Sequence, residues 1–114
     1  MRRESEIFRA LGDETRLQIV SLLSRHSQCD CEIERILGFP QYTVSKHLLI
    51  LRFAGLVDFK RQGVRIQYSL RRDDPSLAPL FRFLKTFLSS GEPRRPGRAS
   101  PRGPAATTSE RRQP

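Results

Sequence analysis

Residues 41–55 read QYTVSKHLLILRFAG, from Gln41 to Gly55, and the reading of this stretch decides the fold. Stepping 100° per residue from Val44, Leu48 and Leu51 fall within about 40° of it, so one narrow stripe faces a core. Tyr42, Thr43, Lys46 and Phe53 point the other way, and Ser45 and His47 sit on the flanks. Gly55 supplies the left-handed stop expected just past a helix end. The N-terminal half of this helix shows solvent a phenol, hydroxyls, an ammonium and an imidazole, groups suited to base edges in a major groove. In isolation an ordinary amphipathic helix with a solvated polar face reads the same way, and the flanking sequence has to separate the two.

Upstream, Ile7, Phe8 and Leu11 form a short stripe on a first helix that stops near Gly12. Asp13 can cap a second helix running to Arg25 or His26, with Leu17, Ile19, Val20, Leu22 and Leu23 as a broad apolar face. A third, short helix follows a cap-like Asp30; Ile33, Ile36 and Leu37 are its expected buried side, and Gly38 ends it. Phe39-Pro40 is a brief turn into the Gln41 helix. Two helices joined by a short Gly-containing turn, the second with a polar outward face, is the helix-turn-helix pattern.

Downstream, the period changes from 3.6 to 2. Val57, Phe59, Val64, Ile66, Tyr68 and Leu70 alternate with Asp58, Lys60, Arg65, Gln67 and Ser69. Arg61-Gln62-Gly63 reads as the tight turn between two strands. A hairpin with cations at its tip, directly after a reading helix, is a wing that can reach phosphates or the minor groove. Asp73-Asp74-Pro75 then looks like a cap with proline at the first helical position, opening a last helix that carries Leu77, Leu80, Phe81, Leu84, Phe87 and Leu88. So much apolar surface on a terminal helix, with Ile7, Phe8 and Leu11, predicts a dimer interface. A dimer places two reading helices about one DNA turn apart, over an imperfect palindrome of double-stranded operator DNA. The predicted fold is mainly α with a β-hairpin: a homodimeric winged helix-turn-helix of order α-α-α-α-β-β-α.

Composition agrees with that partner. The 114 residues carry a net charge of +9, which calls for an anionic partner. Residues 1–90 form the expected DNA-binding and dimerisation domain. From Gly91 to Pro114 six arginines face Glu92 and Glu110, and five of the eight prolines fall there, so 91–114 is predicted to be a disordered basic tail. No run of 18 apolar residues and no signal-peptide core is present, which predicts a cytoplasmic protein without membrane contact. In a reducing compartment, two cysteines two positions apart read as a ligand pair rather than a disulfide. No Gly-rich phosphate loop, Ser/His/Asp set or paired carboxylates suggest an enzyme. A Cys-x-Cys thiol oxidoreductase is the one enzymatic alternative, and the absence of an α/β pattern speaks against it.

The sequence resembles the ArsR/SmtB family of metalloregulatory repressors. The resemblance is carried by LGDETRLQIVSLL at Leu11–Leu23, QYTVSKHLLILRFAGLV at Gln41–Val57 and RQGVRIQYSL at Arg61–Leu70, and covers roughly Ile7 to Ser89. It implies a homodimeric DNA-binding repressor that leaves its operator when a metal or metalloid binds. The arsenic branch carries a Cys-x-Cys-x-x-Cys pattern before the reading helix; Cys29 and Cys31 match its first two cysteines, and Glu34 stands at the third. The histidine and carboxylate ligands of the zinc branch on the last helix are absent between Asp73 and Ser90.

Residues two apart on a helix diverge by about 200°, so Cys29 and Cys31 cannot both ligate one ion from within a helix. In extended backbone they face the same side, so the pair works best where the chain is just entering the helix at Asp30. There the helix dipole also favours thiolates. Soft thiolates select thiophilic ions. Trivalent arsenic or antimony would be satisfied by these two sulfurs and one exogenous ligand. Cd(II), Pb(II) or Zn(II) would draw on His26, Asp30 or Glu34 as further ligands. Thiol oxidation is the alternative signal, although a disulfide between residues two apart is expected to be strained. DNA binding itself needs no cofactor. Tyr42, Thr43, Ser45, Lys46 and His47 are the expected base-reading residues, His47 being equally readable as a buried structural histidine. Gln41, Arg52, Lys60, Arg61 and Arg65 are assigned to phosphates.

Overall fold

The computed structural model describes residues 1–90, and the basic tail expected from residue 91 onward lies outside the described residues. Helix α1 spans Arg2–Leu11 and buries Ile7, Ala10 and Leu11. Helix α2, Glu14–Arg25, starts where the sequence predicts: the Asp13 side chain accepts from the Arg16 backbone N–H at 3.1 Å, satisfying one of the orphan donors of a helix start. Helix α3 is Asp30–Leu37, and helix α4 is Gln41–Phe53. Strands β2 (Val57–Gln62) and β3 (Arg65–Leu70) make the wing. A single 3₁₀ turn, Pro75–Leu77, is capped by Asp74 and leads into α5, Ala78–Ser90. The winged helix-turn-helix order holds.

Helix α4 seats its stripe as the periodicity requires, with Val44, Leu48 and Leu51 each no more than 1% exposed. Its end is a Schellman stop: Gly55 N–H bonds to Arg52 O and Leu56 N–H to Leu51 O, at 2.9 and 3.0 Å. That geometry needs the positive φ of Gly55, 82°. It drops Leu56 and Val57 straight into the core as the wing begins. Ile19, Val20, Leu23 and Ile33 complete the centre, where each fully buried aliphatic contributes about 1.5–3 kcal/mol.

Four expectations need correction. First, a short strand β1, Gln28–Cys29, precedes α3 and pairs antiparallel with β3, giving a three-stranded sheet of order β1-β3-β2. Second, Cys29 rather than Asp30 caps α3; Asp30 is its first helical residue. Third, Ile36 is 47% exposed and Leu37 half-buried, leaving Ile33 as the buried contact of α3, because a helix of eight residues lying at the edge of the core turns only one row inward. Fourth, the hairpin turn is Gly63-Val64, since Gln62 pairs with Arg65; Val64 is 98% exposed and Phe59 39%. The positive φ of Gly63, 65°, then falls at the first position of a two-residue loop, where the primed turns require it.

Candidate nucleic-acid interface and thiol pair

On α4 the predicted reading residues divide by exposure. Tyr42, at 77%, Ser45 and Lys46 are exposed; Thr43 and His47 are half-buried. His47 is held from behind. Its Nδ1 lies 3.1 Å from Arg16 Nη1 and 4.0 Å from Asp13 Oδ2, while Arg16 Nε donates to Ala10 O at 2.6 Å. A guanidinium only donates, so Nδ1 accepts and the neutral ring carries its proton on Nε2. Burial pulls the His47 pKa below its ordinary value; Asp13 opposes this, and the cationic Arg16 and Lys46 reinforce it. Of the two roles open to His47, the structure supplies the partners for the structural one, a tie from the start of α2 to the reading helix.

Among the phosphate candidates, Gln41, Lys60, Arg61 and Arg65 are exposed. Arg52 is half-buried, and its guanidinium carbon stands 4.1 Å above the Phe59 ring, a cation–π contact that orients it from the wing. Phe59 in turn lies against Tyr68, ring centroids 6.3 Å apart. The alternation pattern assigned Phe59 to the core; the structure uses it as a platform for Arg52.

Cys29 and Cys31 stand at the entry to α3. Cys29 has extended backbone (φ −80°, ψ 161°), which turns side chains two apart to one side, and the Cα atoms are 5.4 Å apart. That separation lies within the span a disulfide takes, and the two sulfurs are joined as one. Free thiols were expected; local extension at residue 29 is what brings the pair within bonding reach. Asp30 is drawn into the same group: one donor atom from each of Cys29, Asp30 and Cys31 lies within 4.8 Å of the others. Glu34 and His26 stay outside it, and His26 Nδ1 instead sits 3.1 Å from Ser27 O. Cys29 is 1% exposed and Cys31 exposed, so the pair has one sheltered and one open sulfur.

Glu32 was missed. Its carboxylate accepts from the Cys29 backbone N–H at 3.1 Å, while the Cys29 side chain accepts from the Glu32 N–H. This is a capping box with sulfur in place of a hydroxyl, and the N-cap-x-x-Glu spacing of Cys29–Glu32 was the available sign of it.

The predicted interface residues also divide. Ile7, Leu11, Leu77, Phe81 and Leu84 are 3–6% exposed and belong to the protomer's own core. They were expected at a dimer contact; within the protomer α5 folds back on α2 and spends its inner row there. Phe8 and Phe87 remain 64% and 60% exposed, Leu80 and Leu88 half-buried. Phe83, absent from the prediction, is 58% exposed and stacks on Phe87 at 5.2 Å. Phe8, Leu80 and Phe83, with Leu11 and Leu84 beneath, line one open apolar cavity between α1 and α5.

Residues 13–58, from the α2 cap through the first residues of the wing, match the model of the arsR family of bacterial regulatory proteins. A CadC homolog from Staphylococcus aureus, a cadmium resistance transcriptional regulatory protein, is 33% identical over 89 residues, 77% of this chain and 70% of its own. The chain belongs to the ArsR family. The arsenical resistance operon repressor of Escherichia coli is 39% identical over 74 residues, 64% of this chain and 63% of its own. Among solved structures, the homodimeric winged helix-turn-helix DNA-binding domain from Mycobacterium bovis superposes with a TM-score of 0.68 at 28% identity, covering 78% of this chain and 81% of that one. As an ArsR-family winged helix, the chain is a DNA-binding transcriptional regulator, and the thiol oxidoreductase alternative gives way. Among the described residues no helix is long and apolar enough to cross a membrane.

Proposed function

We propose that this chain is a homodimeric repressor that leaves an imperfect palindromic operator when a thiophilic ion, trivalent arsenic or antimony, binds Cys29 and Cys31. The observation that carries the reading is the convergence of Cys29, Asp30 and Cys31 at the start of α3, one helix before the reading helix. The donor set suits a soft ion of low coordination number: two sulfurs and one carboxylate, with Glu34 and His26 outside the group. Cd(II), Pb(II) and Zn(II) prefer a fuller shell and fit less well. Binding requires the dithiol form, with both protons released. Tyr42, Thr43, Ser45 and Lys46 read bases, and Gln41, Arg52, Lys60, Arg61 and Arg65 hold phosphates. Phe8, Leu80, Phe83, Phe87 and Leu88 pair two protomers across α1 and α5; Phe83→Glu should give a monomer in sedimentation and weaken operator binding.

Thiol oxidation is a second reading, favoured by the bond between the two sulfurs. In that case the two thiols give two electrons and two protons to a peroxide, which leaves as two waters. The deciding experiment is fluorescence anisotropy on a DNA fragment from upstream of the protein's own gene. Arsenite, antimonite, Cd(II) and Zn(II) are titrated under reducing conditions, and peroxide is titrated without metal. Release by arsenite in wild type but not in Cys29→Ser supports the arsenic switch. Release by peroxide alone transfers the role to oxidation, and tight binding indifferent to every addition sinks both.

A further inference from the structure

Cys29 is at once the last residue of β1, the N-cap of α3 and one member of the thiol pair. Through β1 it is wired into the wing. In the sheet Cys29 pairs with Gln67, and Gln67 pairs on its other side with Lys60. The neighbouring row runs Gln28, Tyr68, Phe59 and ends under Arg52 of the reading helix. Both rows start at the segment that carries the sulfurs, and both end on cations assigned to phosphate.

The two rows differ in how firmly they are held. Gln28 and Tyr68 are 4% and 8% exposed, so the first two members of their row are locked into the core. The outer row is held more lightly. Gln67 is half-buried, Lys60 is exposed, and the Gln67 side chain donates from Nε2 to Ser27 Oγ at 3.1 Å. Gln67 therefore grips the sensor segment twice: by backbone pairing to Cys29 and by its amide to Ser27, two residues before Cys29.

We infer that Gln67 is the positioning residue through which the state of Cys29 reaches the wing, so that inducer binding shifts Lys60 and the hairpin tip as well as α4. The inference rests on the thiol-switch reading above. A strand of two residues has little pairing of its own to resist displacement. When Cys29 is drawn toward Cys31 and Asp30, β1 moves, and Gln67 follows because it is fastened to that strand segment at two points, Ser27 and Cys29. Lys60 stands directly across the next strand. Coupling through α3 to α4 alone would bypass Gln67, and that is the alternative the experiment must separate.

The test compares wild type, Gln67→Ala, Ser27→Ala and Ser27→Thr by operator anisotropy in the reduced protein, with and without saturating arsenite, and counts free thiols in parallel. Neither residue is assigned to DNA, so all variants should bind the operator within about twofold of wild type when free. All should lose the same two titratable thiols to arsenite. The arsenite-induced loss of operator affinity should shrink by about tenfold in Gln67→Ala and in Ser27→Ala, the scale of a typical coupling between sites. Ser27→Thr, which keeps the hydroxyl, should restore it. An undiminished loss in both alanine variants overturns the inference and leaves the switch standing. A wild type that takes up arsenite and keeps its DNA overturns both. Should Gln67→Ala fold poorly, Ser27→Ala carries the same test from an exposed side chain.

Discussion

Helices α3 and α4 stand next to each other in the chain and are held very differently. Helix α4 runs 13 residues, buries Val44, Leu48 and Leu51, and is fastened by the His47–Arg16 contact to α2 and by the Schellman stop to the wing. Helix α3 runs eight residues, buries Ile33 alone, and begins on a two-residue strand with a sulfur for a cap. A reader of base edges has to keep its side chains in register, and dense burial does that. A segment that answers to an ion, the role proposed for the entry to α3, has to move at low free-energy cost, and segments with few buried contacts are where proteins open first. The difference between the two helices is thus the difference between a fixed surface and a movable one.

The comparison breaks most sharply on two aliphatic side chains of adjacent helices. Leu48→Ala empties a fully buried site and should cost about 2–5 kcal/mol in urea unfolding. Ile36→Ala, at 47% exposed, should stay within about 0.5 kcal/mol. Equal losses would mean that α3 is as tightly built as α4, and the movable-segment argument would go with it.

A finer test uses the two helix stops. Gly38 and Gly55 have nearly the same φ, 77° and 82°, and a Cβ added at either meets nothing within 4 Å. The strain of an alanine there is therefore conformational, of order 1 kcal/mol. At Gly55 it cannot relax, because Leu51 and Leu56 on either side of the stop are both 0% exposed. At Gly38 the last turn of α3 carries the exposed Ile36 and the half-buried Leu37, and can fray. Gly55→Ala should accordingly lower the urea midpoint more than Gly38→Ala. The reverse order would place the rigid joint on the wrong helix.

How much was legible follows the same division. The α4 stripe and Gly55 are local features: spacing four and seven residues from Val44 and one glycine, all within 15 residues of sequence, define the element and its end. Strand β1 is not local. Gln28 and Cys29 pair with residues 40 and 38 positions away, and two residues are too few to show any alternation. The turn was expected at 61–63 and lies at 63–64 because Gly63 satisfies either loop and only the pairing of Gln62 with Arg65 chooses. On α5 the periodicity counted every apolar side chain alike. It could not say that Phe81 and Leu84 turn inward while Phe83 and Phe87 face out, since that depends on where the helix folds back.

The smallest effect concerns His47, the side chain that fastens α4 to α2. Burial and the neighbouring cations hold its pKa below the ordinary value of about 6.5. Between that lowered value and about 6.5 the unfolded chain binds more protons than the folded one, so stability rises with pH across this window. The contribution is complete above about pH 6.5 and is lost as the pH falls through the window, because charging the ring places an imidazolium in a half-buried site and against Arg16. Asp13, 4.0 Å away, offsets part of this and keeps the dependence shallow. Urea unfolding of wild type and His47→Gln at several pH values between 5 and 8 should show a gentle slope below neutrality that flattens in the variant. The tie belongs to α4, so a slope that survives His47→Gln would move the titrating group elsewhere. With it would go the claim that the reading helix is fastened through this histidine.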